Sequence, residues 1–156
     1  MTIQVGDLAP DVPDTTPPLA LSAWRGQWVV LFFFPRAHAT HCQMQARRFQ
    51  ALMPEFQALG ANIVGVSSDT GAQQMTFRDV CRVSFPLLSD AGERIGGVYG
   101  VLEDAVVEDE ETRRLKRQTF LIDPQGVVVE HWTEVDPNTH AGEVLAALRQ
   151  HEAPLA

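Results

Sequence analysis

Cysteine is scarce in this chain: Cys42 and Cys81 are the only two among 156 residues. Two thiols cannot build the multi-bridge framework of a small secreted domain. No CxxC or paired Cys/His spacing marks a structural zinc site. Positive charge is also short, with 12 Lys and Arg against 20 Asp and Glu and a formal net charge of −8. An acidic surface is a poor partner for phosphate backbones or anionic lipid, which attract basic patches. The nearest basic cluster, Arg113, Arg114, Lys116 and Arg117, directly follows the acidic run Glu108, Asp109, Glu110 and Glu111. The two blocks largely neutralise each other and read as a solvated charged connection. Long apolar runs are missing too. The longest, Trp28 to Phe34, falls far short of the about 20 residues needed to cross a bilayer as a helix. Residues 1–10 carry neither a basic nor an apolar signal-like region. The expectation is a cytoplasmic protein in which cysteine serves chemistry or packing.

What is present is the composition of a globular protein, 45% hydrophobic and 21% charged, with a length that fits one domain over residues 1–156. Such a chain buries roughly two-thirds of its unfolded surface and needs no disulfide staples. Residues 1–27, with Pro10, Pro13, Pro17 and Pro18, read as an irregular entry segment. The unbroken apolar run Trp28 to Phe34, ending at Pro35, predicts a central strand covered on both faces. From Cys42 the period changes to 3.6: Phe49, Leu52, Met53, Phe56 and Leu59 share a helical face, and Gly60 ends the helix.

Asn62 to Ser68 predicts the next buried strand, Gly71 to Arg82 a helix with Phe77 and Cys81 on one face, Phe85 to Leu88 a short strand, and Ala91 to Tyr99 a short helix. Residues 103–114 read as a charged connection. Asp123-Pro124-Gln125-Gly126 spells a type I turn between strands at Thr119 to Ile122 and Val127 to Glu130. Asp136 and Pro137 open a last helix that buries Val144, Leu145 and Leu148. The order argues for one α/β domain with a central mixed sheet and helices on both faces.

Cys42 carries the chemistry. It follows a buried strand and a loop, and it opens a helix, where free N–H groups and the partial positive charge stabilise a thiolate. The alternative is a buried cysteine acting as a small hydrophobe, which its polar neighbours Thr40, His41 and Gln43 disfavour. His38, His41 and Cys42 also cluster, but three ligands with no evident fourth make a poor metal site.

Several blocks, in one order and nearly end to end, resemble the peroxiredoxins, specifically the monomeric or Q-type subgroup related to bacterioferritin-comigratory protein. Val5 to Asp11 is similar to the family's VGDxAPDF, Trp24 to Val30 to LRGKxVV, and Gly60 to Ser67 to GAxVxGVS. Phe85 to Asp90 matches FPLLSD, Tyr99 to Val101 matches YGV, and Arg117 to Asp123 matches RxTFLID. The active-site signature P-x-x-x-T/S-x-x-C keeps its full offset between Pro35 and Cys42. The resemblance implies a thioredoxin-like fold and a thiol-dependent peroxidase in which Cys42 attacks hydrogen peroxide or an organic hydroperoxide. It also implies that Pro35 shields the site from water and that Arg117 holds the thiolate and the peroxide. The implied partners are a peroxide and thioredoxin or a similar dithiol, with no cofactor, no metal and a monomeric chain. Arg117 makes independent sense, because a guanidinium stays charged and offers several donors to peroxide oxygens.

The chain also departs from that pattern. The signature hydroxyl falls on Ala39. Either Thr40, one residue late, supplies it, or His38 or His41 replaces it as donor, or the site is slow. The five-residues-later position of one family resolving cysteine is Arg47 here, and a second family location falls on Arg78. Cys81 lies three residues past Arg78, on nearly the same helical face. Two readings of Cys81 stand side by side, a core residue stacked with Phe77 and a resolving thiol that bonds Cys42 after local unfolding. Ala39 likewise keeps open a peroxiredoxin-shaped redox sensor or binding module with weak or lost activity. The missing CxxC speaks against a disulfide reductase.

Overall fold

The structure is a computed structural model that describes residues 3–13, 18–35, 40–90, 92–107 and 109–152. Five strands make the main sheet: β1 (Trp28–Phe33), β2 (Ala61–Ser67), β3 (Leu87–Ser89), β6 (Gln118–Ile122) and β7 (Val128–Trp132), in the order β3-β2-β1-β6-β7. β1 runs parallel to β2 and antiparallel to β6. β2 pairs with β3 in parallel, and β6 with β7 antiparallel. The sheet is therefore mixed, as expected, and the apolar run lies at its middle with all six β1 residues buried. Central position explains the run: a strand covered on both faces has no solvent side on which to place polar residues.

Alternation along β1 divides the core in two. Trp28, Val30, Phe32 and Phe34 face α1 (Thr40–Ala58), α2 (Gly71–Cys81) and α4 (His140–Glu152), meeting Phe49, Phe56, Phe77, Val144, Leu145 and Leu148. Val29, Leu31 and Phe33 face α3 (Arg94–Tyr99), which supplies Ile95 and Tyr99. The entry segment covers this second side with Val12, Leu19 and Leu21. Phe32 stacks on Phe49 at 4.7 Å between ring centroids. It fills space left by Gly65, where an added Cβ would stand 2.9 Å from both Phe32 Cζ and Leu87 Cδ2.

Residues 103–114 depart from expectation. They belong to an antiparallel hairpin, β4 (Leu102–Val107) and β5 (Glu110–Leu115), not to an irregular connection. Charge made the segment look like a loop, yet its charges pair across the strands. Glu103 faces Arg114 and Asp104 faces Arg113, and Arg114 Nε meets Glu103 Oε1 at 2.8 Å. Opposite charges directly across a ladder favour pairing, and the fully buried Leu115 pins the hairpin to the core.

Smaller differences are local. Leu21–Trp24 forms a 3₁₀ turn inside the entry segment, past its prolines. The last helix begins at His140 because the Asp136 carboxylate accepts the Asn138 N–H at 2.9 Å. That Asx turn precedes the helix and delays it. The Asp123 to Gly126 turn forms as read: Gly126 N–H donates to Asp123 O at 2.9 Å, and Asp123 Oδ1 accepts from Gln125 and Val127 N–H.

Candidate active site

α1 follows β1 in the chain, and its first residue is Thr40 and its third Cys42. Cys42 is thus in the first turn, two residues later than a helix opening at Cys42 would place it. It is 1% exposed, within the apolar cluster that holds Phe34, Phe49, Phe77 and Cys81. On the buried stripe of α1, Cys42, Gln45, Ala46 and Phe49, glutamine is the one polar member besides the thiol.

Arg117 arrives from 75 residues away in sequence, and its Nη2 donates to Cys42 Sγ at 3.0 Å. Sheet pairing explains the meeting. β6 runs antiparallel to β1 with Gln118 opposite Phe33, so the residue before β6 lies beside the exit of β1 and the start of α1. A hydrogen bond from Lys116 N–H to Val101 O at 2.6 Å anchors the backbone just before it. Arg117 Nη1 donates to Gln45 Oε1 at 2.5 Å.

Sequence reasoning missed Gln45. The available signal was a polar residue three positions after Cys42, on the same helical face. A guanidinium only donates, so Gln45 must turn its carbonyl toward Arg117. Among the described residues no hydrogen-bond partner meets its buried Nε2. The guanidinium fork is thereby held against Gln45 and Cys42 together, and these two bonds use fewer than its five N–H donors.

Behind Arg117 lies a second polar pair. Thr119, two residues along β6 and hence on the same face, has its Oγ1 2.7 Å from His140 Nε2. His140 is fully buried, edge-on to Phe49 and Trp132 at 5.9 and 5.4 Å. Burial, and then the charge of Arg117, push the His140 pKa down to about 4. The ring is neutral near pH 7, and Arg117 gains no cationic neighbour from it. Gln118 points to the other face, where its Oε1 meets His131 Nε2 at 2.8 Å; burial lowers the His131 pKa.

Pro35 is half-buried, and its carbonyl accepts from Ser68 Oγ at 3.1 Å. Together with Phe34 N–H to Val66 O at 3.0 Å, this ties the loop's first residue to the end of β2. His38 and Ala39 lie outside the described residues, as do the side chains of Thr40 and His41. Cys81 is the last residue of α2, 6% exposed, in the same apolar cluster as Cys42, and both thiols are free. Burial pushes the Cys81 thiol up, opposed by the charge and side-chain hydrogen bond of Arg47. Arg78 of α2 is exposed. Among the described residues no group of three His, Cys, Asp or Glu side chains could hold a metal ion, and no helix is long and apolar enough to cross a membrane.

Two features of this arrangement suit a nucleophilic thiolate and work against the burial of the sulfur: an anion-stabilising helix start and a permanent cation in contact. The spare guanidinium donors could meet an oxygen bonded by that sulfur. Comparison with known proteins points the same way. The sequence profile described as AhpC/TSA family matches residues 5–131. Peroxiredoxin Bcp of Xanthomonas campestris pv. campestris is 36% identical over 131 residues, covering 84% of this chain and 82% of that protein. Peroxiredoxin Bcp of Bacillus subtilis is 30% identical over 152 residues, covering 96% and 97%. A solved structure of Xanthomonas campestris bacterioferritin comigratory protein, studied for its alkyl peroxide reduction activity, superposes with a TM-score of 0.80. It is 34% identical over 87% of each chain. A cysteine-to-serine mutant of Xylella fastidiosa PrxQ superposes with a TM-score of 0.86 at 27% identity, covering 98% of this chain and 99% of that one.

Proposed function

The chain belongs to the AhpC/TSA family as a peroxiredoxin of thioredoxin-like fold, a thiol-dependent peroxidase, and on that premise we propose that Cys42 is its peroxidatic residue and Arg117 its principal partner. The observation that carries this reading is the 3.0 Å contact between Arg117 Nη2 and the buried Cys42 Sγ. Residues 1–156 act as one domain, and the substrates are hydrogen peroxide and organic hydroperoxides. The Cys42 thiolate attacks the distal peroxide oxygen, the O–O bond breaks, and the departing oxygen takes a proton and leaves as water or alcohol. Cys42 becomes a sulfenic acid. As negative charge develops on the departing oxygen, the free guanidinium donors of Arg117 stabilise it, and Gln45 keeps them aimed.

Pro35, held through its carbonyl by Ser68, shields the sulfur from water, and Thr40 supplies the hydroxyl that Ala39 lacks. Cys81 then resolves the sulfenic acid to an intramolecular disulfide. Its support is its place as the other free thiol and its membership of the Cys42 apolar cluster. Bridging requires alpha carbons within roughly 7 Å, so the first turn of α1 and the end of α2 open to form it. Thioredoxin or a similar dithiol reduces the disulfide, in the cytoplasm, and the chain works as a monomer without a cofactor.

Peroxide consumption by the wild type and by Cys42→Ser tests the reading. The mutant keeps the fold, because a hydroxyl replaces a thiol of similar size, and loses peroxide turnover. Turnover near the wild-type rate in Cys42→Ser would refute it.

A further inference from the structure

Cys81 occupies an awkward place for a nucleophile. It is the last residue of α2, the end of a helix whose exposed carbonyls disfavour an anion. It is also 6% exposed and enclosed by an apolar cluster that includes Phe77, Val83 and Phe85. Both circumstances oppose ionisation, yet only a thiolate attacks a sulfenic sulfur.

One described group works in the other direction. Arg47 reaches from α1 to the end of α2, where its Nη2 donates at 3.4 Å to the carbonyl of Val80, the residue before Cys81, and so sets a positive charge beside the Cys81 thiol. The charged groups of Cys81's own segment, Arg78, Asp79 and Arg82, are exposed. Arg47 is the charged group that acts on Cys81 from a packed neighbour. It lies five residues beyond Cys42 in the same helix, past the first turn that must open. The turn of α1 that carries Arg47 therefore stays folded while Cys42 approaches, and the long Arg47 side chain follows the end of α2.

We propose that Arg47 is a positioning residue for the resolving step, its guanidinium, anchored on the Val80 carbonyl, standing beside the Cys81 sulfur when the Cys42 sulfenic acid arrives. This rests on the reading of Cys81 as the resolving thiol. Cys81 gives up its proton and its thiolate attacks the Cys42 sulfur. The S–O bond breaks, and the departing hydroxide takes a proton and leaves as water. One disulfide and one water form from one sulfenic acid and one thiol, the oxidising equivalent having come from the peroxide.

The test follows the 42–81 disulfide in the full chain after one equivalent of hydrogen peroxide. Samples are quenched with acid and a thiol-blocking reagent, and the disulfide is quantified by mass spectrometry across a pH series. Arg47→Met shifts the rate–pH curve upward by about one unit and slows formation about tenfold at neutral pH. Arg47→Gln, which keeps a donor without charge, falls between, and Arg47→Lys retains most of the wild-type curve. Arg47 is exposed, so these variants leave the core intact. A 42–81 disulfide whose pH curve is the same in Arg47→Met and wild type overturns the role of Arg47 alone. Absence of that disulfide in the wild type overturns the reading of Cys81 itself.

Discussion

Removing Arg117 is the most informative perturbation of the site. The side chain makes two short bonds, 3.0 Å to Cys42 Sγ and 2.5 Å to Gln45 Oε1. Cys42 itself is 1% exposed and Arg117 half-buried, so water reaching the vacated space is no substitute for the guanidinium charge. His140 cannot substitute either, since burial keeps it neutral at working pH. Arg117→Ala removes a preorganised donor from a half-buried site, a loss of about 2.7–4 kcal/mol in transition-state stabilisation or about 10²–10³ in rate. Arg117→Lys restores the charge but has no fork with which to hold Gln45 and the sulfur together, so it recovers about a tenth of the wild-type rate, one decade or about 1.4 kcal/mol below it. Stopped-flow measurement of the single-turnover reaction with hydrogen peroxide, followed by tryptophan fluorescence, reads both variants. An Arg117→Ala rate within threefold of wild type would show that the contact is structural and that the charge needed by the thiolate comes from elsewhere.

Three other outcomes are expected. Ala39→Thr accelerates peroxide reduction by restoring the signature hydroxyl; if it has no effect while Thr40→Val cripples the enzyme, the loop supplies that hydroxyl one residue late. His140 titrates near 4 when folded against 6.5 when free, so the unfolded chain takes up its proton first. The stability contributed by the neutral ring is present above about pH 6.5 and is lost, to about 3 kcal/mol, as pH falls toward 4. Urea denaturation across that range shows this loss in the wild type and not in His140→Gln. Gly65→Ala forces a methyl against Phe32 and Leu87, each 2.9 Å from the Cβ position. It lowers stability by about 1–3 kcal/mol, measured as a fall in the denaturation midpoint with unchanged slope.

The sequence by itself determined the elements whose residues speak through their near neighbours. The Trp28 to Phe34 run announced the central strand because a strand buried on both faces repeats apolar residues without interruption. The 3.6 period announced α1, and Asp123 to Gly126 announced its turn through local backbone geometry. The spacing of Pro35 and Cys42, joined to the matching blocks, marked out the family and made Cys42 the candidate nucleophile. Only the tertiary structure decided what those residues meet. Charge concealed β4 and β5, because the favourable partner of Glu103 is Arg114 across the ladder and not a sequence neighbour. Gln45 looked like one more polar helix residue until Arg117, 75 residues from Cys42, came to rest against both. His140 drew no notice as a helix start, yet its burial beside Thr119 keeps it neutral. Arg47 acts on Cys81 because α1 and α2 pack side by side. The hairpin pair forms when two adjacent strands fold back on each other; the other three are contacts between segments remote in the chain, created when β6 pairs antiparallel with β1 and the helices dock on one face. Local patterns carry no record of such meetings, because their free energy arises only when the two segments come together.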